Sequence, residues 1–341
     1  MATIRAGLVG VGSMGRNHAR VLRSLDGVEL VGIADPVGDP HGVAGEARLV
    51  ESVRELVAIG IDIAVVAAPT MHHLAAGIEL AAAGVHTLVE KPLATNADEA
   101  LLLTDAFERA GLVGCVGHIE RYNPALRALR DRLEQGELGE IYQVATRRQG
   151  PFPNRIADVG VVKDLATHDI DLTAWVIQSP YARVSGQTAH KSGRSHEDLI
   201  SITAQMQDGT VVNHLVNWLS PLKERTTVIT GERGSFVADT LHGDLTFHEN
   251  GQIATEWDQV ASFRGVTEGN STRFAIPKPE PLRVQHENFR DAVLGRTNDV
   301  VTMREGLATV AVADACIESA NSGRTIEIRG QDPKDLVRKP S

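Results

Sequence analysis

Two groups of residues in this 341-residue chain have types and spacings that could do chemistry. In Gly10-Val11-Gly12-Ser13-Met14-Gly15 the first glycine permits a tight turn and the second lets backbone approach a pyrophosphate; the third lets a helix pack closely on a strand. Ser13 and Met14 complete a loop whose amides, at the start of a helix, face negative charge. Asp35 stands about twenty residues further on, where an acidic side chain accepts hydrogen bonds from ribose hydroxyls and repels a 2′-phosphate. No arginine lies within the next ten residues, so the pattern favours NAD over NADP. The second group is Asp164 and His168, four apart and on one face of an expected helix. Oxidising a secondary alcohol needs a base for the hydroxyl proton as hydride leaves carbon, and imidazole titrates in the useful range. Val161, Leu165, His168, Leu172 and Trp175 also form an apolar stripe, which suits a satisfied core histidine equally well.

The elements that must hold these residues alternate in the first part of the chain. Ile4–Val11, Val28–Ala34, Ile63–Ala68, Val85–Val89 and Leu112–Val116 read as apolar strands. Helices are expected from Met14 to Leu25, Ser52 to Ile59, Leu74 to Ala81 and Ala97 to Ala110; the glycine- and proline-rich stretch Pro36–Gly45 gives no assignment. This grammar predicts an α/β fold, a doubly wound parallel sheet of Rossmann type over residues 1–121. Beyond it the pattern changes. Ile200–Met206, Asp208-Gly209 and Val211–Leu219 read as a hairpin, Asn250-Gly251 is expected to turn between Asp244–His248 and Gln252–Glu256, and Thr226–Thr230 leads into another antiparallel connection at Gly231–Gly234. Residues 122–330 are therefore expected to form an α+β domain with an open, mainly antiparallel sheet, and 331–341 a flexible tail. Helices at Val161–Ile177, Leu282–Leu294 and Met303–Asn321 either cover that sheet or return to the first domain.

Composition excludes several functions. A net charge of −10 without a long basic run lacks the electrostatic footprint of a nucleic-acid binder. Cys115 and Cys316 are far apart in apolar surroundings, which argues against a disulfide framework or a cysteine-built metal site. The histidines, His72 and His73 after Pro69-Thr70 included, show no paired metal-ligand spacing, so no catalytic metal is expected. No leader pattern and no membrane-length apolar stretch is visible, and a cytoplasmic location follows as the default expectation.

Glu90-Lys91-Pro92, directly after the strand Val85–Val89, resembles the glucose–fructose oxidoreductase, inositol dehydrogenase and MocA family. Asp164-Leu165-Ala166-Thr167-His168 is similar to the catalytic segment of that family, and with the glycine fingerprint the resemblance spans nearly the whole chain. It implies a nicotinamide-dependent oxidoreductase acting on a sugar-ring hydroxyl carbon, with Lys91 and His168 facing the nicotinamide from opposite domains and Asp164 orienting the histidine. Lys91 would stabilise developing alkoxide charge or complete a proton relay; both roles remain open. Pro69, His72, Glu90 and Lys91 would border the dinucleotide, although His72 and His73 could equally just begin a helix.

Within the family, the segments 118–124, 147–156, 159–164 and 217–223 look similar to the branch that oxidises UDP-N-acetylglucosamine at carbon 3. Arg121, Arg147, Arg148, Arg155, Lys163 and Lys223 would then supply donors to a diphosphate, or else form solvated strand-edge charges and inter-subunit ion pairs. The expected substrate set is Arg121, Asn123, Arg147, Arg155, Lys163, Asp164 and His168. Dehydrogenation of an inositol or free sugar is the alternative, and a non-catalytic dinucleotide-binding regulator a further one, against which the presence of Lys91, Asp164 and His168 together argues. An open sheet needs its face covered, so a homodimer or homotetramer is expected.

Overall fold

A computed structural model describes residues 3–153, 159–251 and 267–328. Two compact units emerge. The first comprises the described residues up to Ile119 together with Val159 and Glu280–Asp314; the second comprises those of Glu120–Pro153, Gly160–Pro279 and Ala315 onward.

The first unit is a parallel sheet of β1 (Ile4–Val9), β2 (Val28–Ala34), β3 (Arg48–Val50), β4 (Ile63–Val66), β5 (His86–Val89) and β6 (Gly114–Val116), in the order β3-β2-β1-β4-β5-β6. Its strands are apolar because both faces are covered: Ala6, Leu8, Ile33, Ile63, Val65 and Leu88 are all within the core. The helices are α1 (Ser13–Arg23), α2 (Val53–Ala58), α3 (His73–Ala82) and α4 (Ala97–Ala110). Local signals set their ends. Asn96 caps α4 by accepting from the Glu99 amide at 2.9 Å, and Gly111 closes it in the left-handed conformation. The edge strand β3 carries no alternation that sequence could reveal; three residues with burial exposed, exposed, buried take their form from pairing with β2.

In the second unit β7 (Ile141–Pro151), β8 (Tyr181–Ala189), β9 (Leu199–Met206), β10 (Val211–Asn217), β11 (Leu219–Gly231), β12 (Gly234–Asp239), β13 (Asp244–Gly251), β14 (Thr267–Arg273) and β15 (Ile326–Glu327) form one sheet. Its order is β14-β13-β12-β11-β7-β10-β9-β8-β15, antiparallel except for β7 against β10. The Asp208-Gly209 hairpin joins β9 to β10 as the sequence predicts. Asn250-Gly251 departs from expectation: both residues lie inside β13, after a register shift, and pair with Glu268 and Thr267 of β14. The strand expected at Gln252–Glu256 and the expected tail lie outside the described residues.

The helices α5 (Pro124–Glu134) and α6 (Thr167–Ile177) belong to the second unit, whereas α7 (Pro281–Val293) returns to the first, where Phe289 enters the core and α1 is its neighbour. A last helix, α8, spans Met303–Ser322. The helix expected over Val161–Ile177 does not begin as an α-helix. Residues Val162–Ala166 form a π turn, closed by donation from the Thr167 amide to the Val162 carbonyl, and α6 continues from it.

α6 is buried on nearly all sides, so its acidic side chains must be paired within the protein. Arg121 donates to both oxygens of Asp171, at 2.9 and 2.7 Å. Arg148 on β7 donates to Asp169 at 2.9 Å and to Glu120 at 2.7 Å. Burial works against the charge of Arg148, but Asp169 and Glu120 outweigh it and hold the guanidinium proton more tightly than usual. Beneath, His214 of β10 lies between Thr146 and Tyr181, 2.7 Å and 2.8 Å from their hydroxyls, and burial followed by the charge of Arg148 pushes it down to about 3.

Breaking one of these ion pairs strands a buried charge. Asp171→Ala is expected to cost about 3–5 kcal/mol in urea unfolding, while the double replacement Arg121→Met with Asp171→Leu loses much less. His214 sets a pH dependence whose sign follows from its depressed value: below the ordinary 6.5 the unfolded chain takes up a proton that the folded one refuses until about pH 3. Stability is therefore full above 6.5 and falls on acidification, by about 2 kcal/mol from this group between pH 7 and 5. Comparing the pH dependence of unfolding in the wild type with that of His214→Gln should show this component removed from the variant.

Candidate functional site

In the first unit the carboxyl ends of the parallel strands lie along one edge, and the strand order reverses between β1 and β4, where open α/β sheets bind ligands. The glycine loop sits there, and each glycine has its own reason. Gly10 has φ +93, and a Cβ on it would stand 2.9 Å from the Ala67 carbonyl oxygen. A Cβ on Gly15 would lie 2.1 Å from the oxygen of Gly10, so nothing larger lets α1 pack this close. Gly12 has no neighbour within 4 Å of such an atom: the space in front of it is open. Ser13 is exposed, Met14 half-buried, and the first turn of α1 carries no acid to compete for an anion. Asp35, at the end of β2, accepts from the amides of Val11 and Val37, each at 2.9 Å, so the glycine loop itself orients the carboxylate. These features fit a dinucleotide: open backbone amides for the pyrophosphate and an oriented carboxylate for the ribose.

At the end of β4, Pro69 and His72 are exposed around the short 3₁₀ turn Thr70–His72. His73 is buried; its ring nitrogens lie 3.0 Å from the carbonyl oxygens of Pro92 and Ala68, and burial pushes it below the usual imidazole range. Glu90, expected beside the cofactor, is placed inside: 7% exposed, it accepts from His18 and from the Lys91 amide. Lys91 follows at half-burial, joined to Pro92 by a cis peptide bond.

In the second unit Lys163 and Asp164 are buried in the π turn, and His168 is half-exposed where residues 160–167 before it are all buried. The four-residue spacing thus runs out of a π turn into α6 instead of along a uniform α-helical face. Nor is there a stripe, since apolar and polar residues alike are buried along α6. The entry to this segment is held from a loop: the Glu197 side chain accepts from the Val162 amide at 3.0 Å, and the Glu197 carbonyl from the Val161 amide at 3.0 Å.

The expected cationic set divides. Arg121 and Arg148 are committed to the acids of α6. Arg147 is exposed, and strand alternation places it on the face of β7 opposite Arg148 and α6. Asn123 caps α5 by accepting from the Ala125 amide and donates to the Thr240 carbonyl, which is a structural role. Lys163 shares the π turn with Asp164, Lys223 is exposed on β11, and Arg155 lies outside the described residues. Sequence reasoning overlooked His18, Glu197 and His286, whereas His73 begins α3, one of the two places expected for it. A signal existed for His18, a polar residue at helical spacing with Val21, Leu22 and Leu25, because a buried imidazole requires a partner. Among the described residues no cluster of three or more histidine, cysteine or acidic side chains could hold a metal, and no helix is long and apolar enough to cross a membrane.

Two family models match the chain: the oxidoreductase family, NAD-binding Rossmann fold, over residues 4–118, and the GFO/IDH/MocA C-terminal domain over 126–237. The UDP-N-acetylglucosamine 3-dehydrogenase of Acidithiobacillus ferrooxidans is 35% identical over 86% of this chain and 90% of its own. The scyllo-inositol 2-dehydrogenase (NAD(+)) of Bacillus subtilis is 28% identical over 95% of this chain and 96% of its own. Among solved structures, the WlbA dehydrogenase of Bordetella pertussis, in complex with NADH and UDP-GlcNAcA, superposes with a TM-score of 0.82 at 25% identity, over 97% of this chain and 99% of that one. With its glycine loop, oriented Asp35 and two matching domains, the chain belongs to the GFO/IDH/MocA family of NAD-binding oxidoreductases.

Proposed function

We propose that this protein is an NAD-dependent dehydrogenase that oxidises a secondary hydroxyl of a sugar ring, and that the sugar is nucleotide-linked and oxidised at carbon 3. The 35% identity to a UDP-N-acetylglucosamine 3-dehydrogenase carries the finer part of this reading. NAD supplies the hydride acceptor. The half-exposed imidazole of His168 takes the hydroxyl proton, and Asp164 in the turn before it orients the ring. Lys91 places positive charge against the developing alkoxide. Asp35 selects the cofactor, as a negative charge where a 2′-phosphate would otherwise sit.

A second reading, dehydrogenation of an inositol or another free sugar, has its own support. Inositol dehydrogenases resemble the chain over nearly its full length, and Arg121 and Arg148 are committed to internal ion pairs while Arg147 lies on the face of β7 away from α6, which leaves fewer donors for a diphosphate.

NAD reduction followed at the nicotinamide absorbance, with UDP-N-acetylglucosamine, N-acetylglucosamine, myo-inositol and glucose, separates the two. The nucleotide sugar should give the highest kcat/KM, with both kcat and affinity lower for the truncated sugar, because binding energy from the nucleotide also positions the ring. Comparable turnover of myo-inositol would overturn the nucleotide-sugar reading. His168→Ala and Lys91→Ala should each lower kcat by about 10²–10⁴ with NAD binding nearly intact; a His168→Ala protein of normal turnover would return this residue to a packing role. NAD should be preferred over NADP, and Asp35→Ala should relax that preference.

A further inference from the structure

Inside the first unit, three ionisable side chains from distant parts of the sequence meet out of water. The Glu90 carboxylate accepts from His18 Nε2 at 2.8 Å through one oxygen and from the Lys91 amide at 3.1 Å through the other. The opposite nitrogen of His18, Nδ1, lies 2.8 Å from Nε2 of His286 on α7. His18 is 0%, His286 1% and Glu90 7% exposed. A chain of hydrogen bonds thus runs from α7 through α1 to the backbone of Lys91. The glycine fingerprint needs none of these groups, and none reaches the open space in front of Gly12.

Burying a carboxylate and two imidazoles is costly unless each finds a partner. Glu90 and both ring nitrogens of His18 are paired, and His286 is paired through Nε2 while its Nδ1 has no partner among the described residues, so Glu90 and His18 are the strongly fixed members. We propose that His18 and His286 are positioning residues for Lys91: they hold the Glu90 carboxylate, and through it the backbone of the neighbouring residue, in one place at the end of β5. This rests on the reading that Lys91 takes part in the reaction.

Three further observations support the arrangement. Gly117, just past β6, closes the remaining side, since a Cβ there would stand 3.0 Å from the Glu90 carboxyl. On the other side of Lys91, the Pro92 carbonyl lies against the ring of His73. Protonation is consistent as well. Burial works to raise Glu90, but the hydrogen bond and charge of His18, and then Lys91, outweigh it and keep the carboxylate ionised; burial and then His18 push His286 well below the usual imidazole range. With the His18 donor removed, the carboxylate must take a proton or turn toward another cation. Either change moves Lys91, and misplacement by about 1 Å costs on the order of a hundredfold in rate.

The test uses His18→Leu, which removes the donor, and His18→Gln, whose amide can still donate to Glu90. Gly117→Ala crowds the carboxylate without deleting any group, and serves should the leucine variant fail to fold. Each is assayed with NAD and UDP-N-acetylglucosamine and, separately, with myo-inositol, beside Lys91→Ala. NAD binding is measured directly, and hydrogen–deuterium exchange is followed in the peptide spanning residues 88–96. The expected result for His18→Leu and Gly117→Ala is a kcat lowered by about 10- to 100-fold, NAD affinity within about twofold of the wild type, and faster exchange at 88–96. His18→Gln should recover most of both. Unchanged exchange at 88–96 in His18→Leu, or equal losses in the leucine and glutamine variants, would overturn the proposal. If Lys91→Ala turns over normally, the Lys91 reading fails by itself, and exchange in the His18 variants then decides whether the chain holds this segment.

Discussion

A charged group withdrawn from water has to be met by a partner of matching geometry, and the segments around His168 and Lys91 are both built around that requirement. In the second unit Arg121 and Arg148 meet Asp171 and Asp169, so α6 is tied to the sheet and to the 3₁₀ turn Ile119–Tyr122 by charges that cannot leave without large loss. In the first unit Glu90 meets His18 and the Lys91 amide. Buried pairs of this kind are weak contributors to net stability compared with apolar packing, but they allow few alternative arrangements. They lie next to His168 and Lys91 in the chain, on α6 itself and at the residue before Lys91.

The dinucleotide site depends on a different constraint, the room available to backbone. Gly15 permits α1 to approach β1, Gly10 turns the chain beside Ala67, and the Asp35 carboxylate is itself held by an amide of the glycine loop. The glycine loop and Asp35 are therefore coupled through Val11. A change in the loop would be felt at Asp35, and a change at Asp35 in the loop.

Specificity for the sugar is less concentrated. The family uses one sheet-and-helix scaffold for substrates as different as a nucleotide sugar and an inositol, as the relatives of this chain illustrate. Fold alone thus dictates little about the substrate. Arg121 and Arg148, two of the cations that the sequence suggested for a diphosphate, are engaged by the acids of α6.

Sequence by itself determined what depends on local spacing. Period and turn residues revealed the strand–helix alternation of the first unit, the Asp208-Gly209 hairpin and the glycine fingerprint with Asp35, because near neighbours along the chain dictate each of them. Tertiary structure decided whatever depends on a partner remote in sequence. Spacing could not reveal that Arg121 and Asp171 would consume each other's charge, or that Arg147 and Arg148 would face opposite sides of β7. It could not show that Asn250-Gly251 would pair within a strand when a turn was expected, or that the segment before His168 would open into a π turn. His18 and His286 are the extreme case: 268 positions apart, they acquire meaning only when α7 returns to the first unit and sets the second ring against the first.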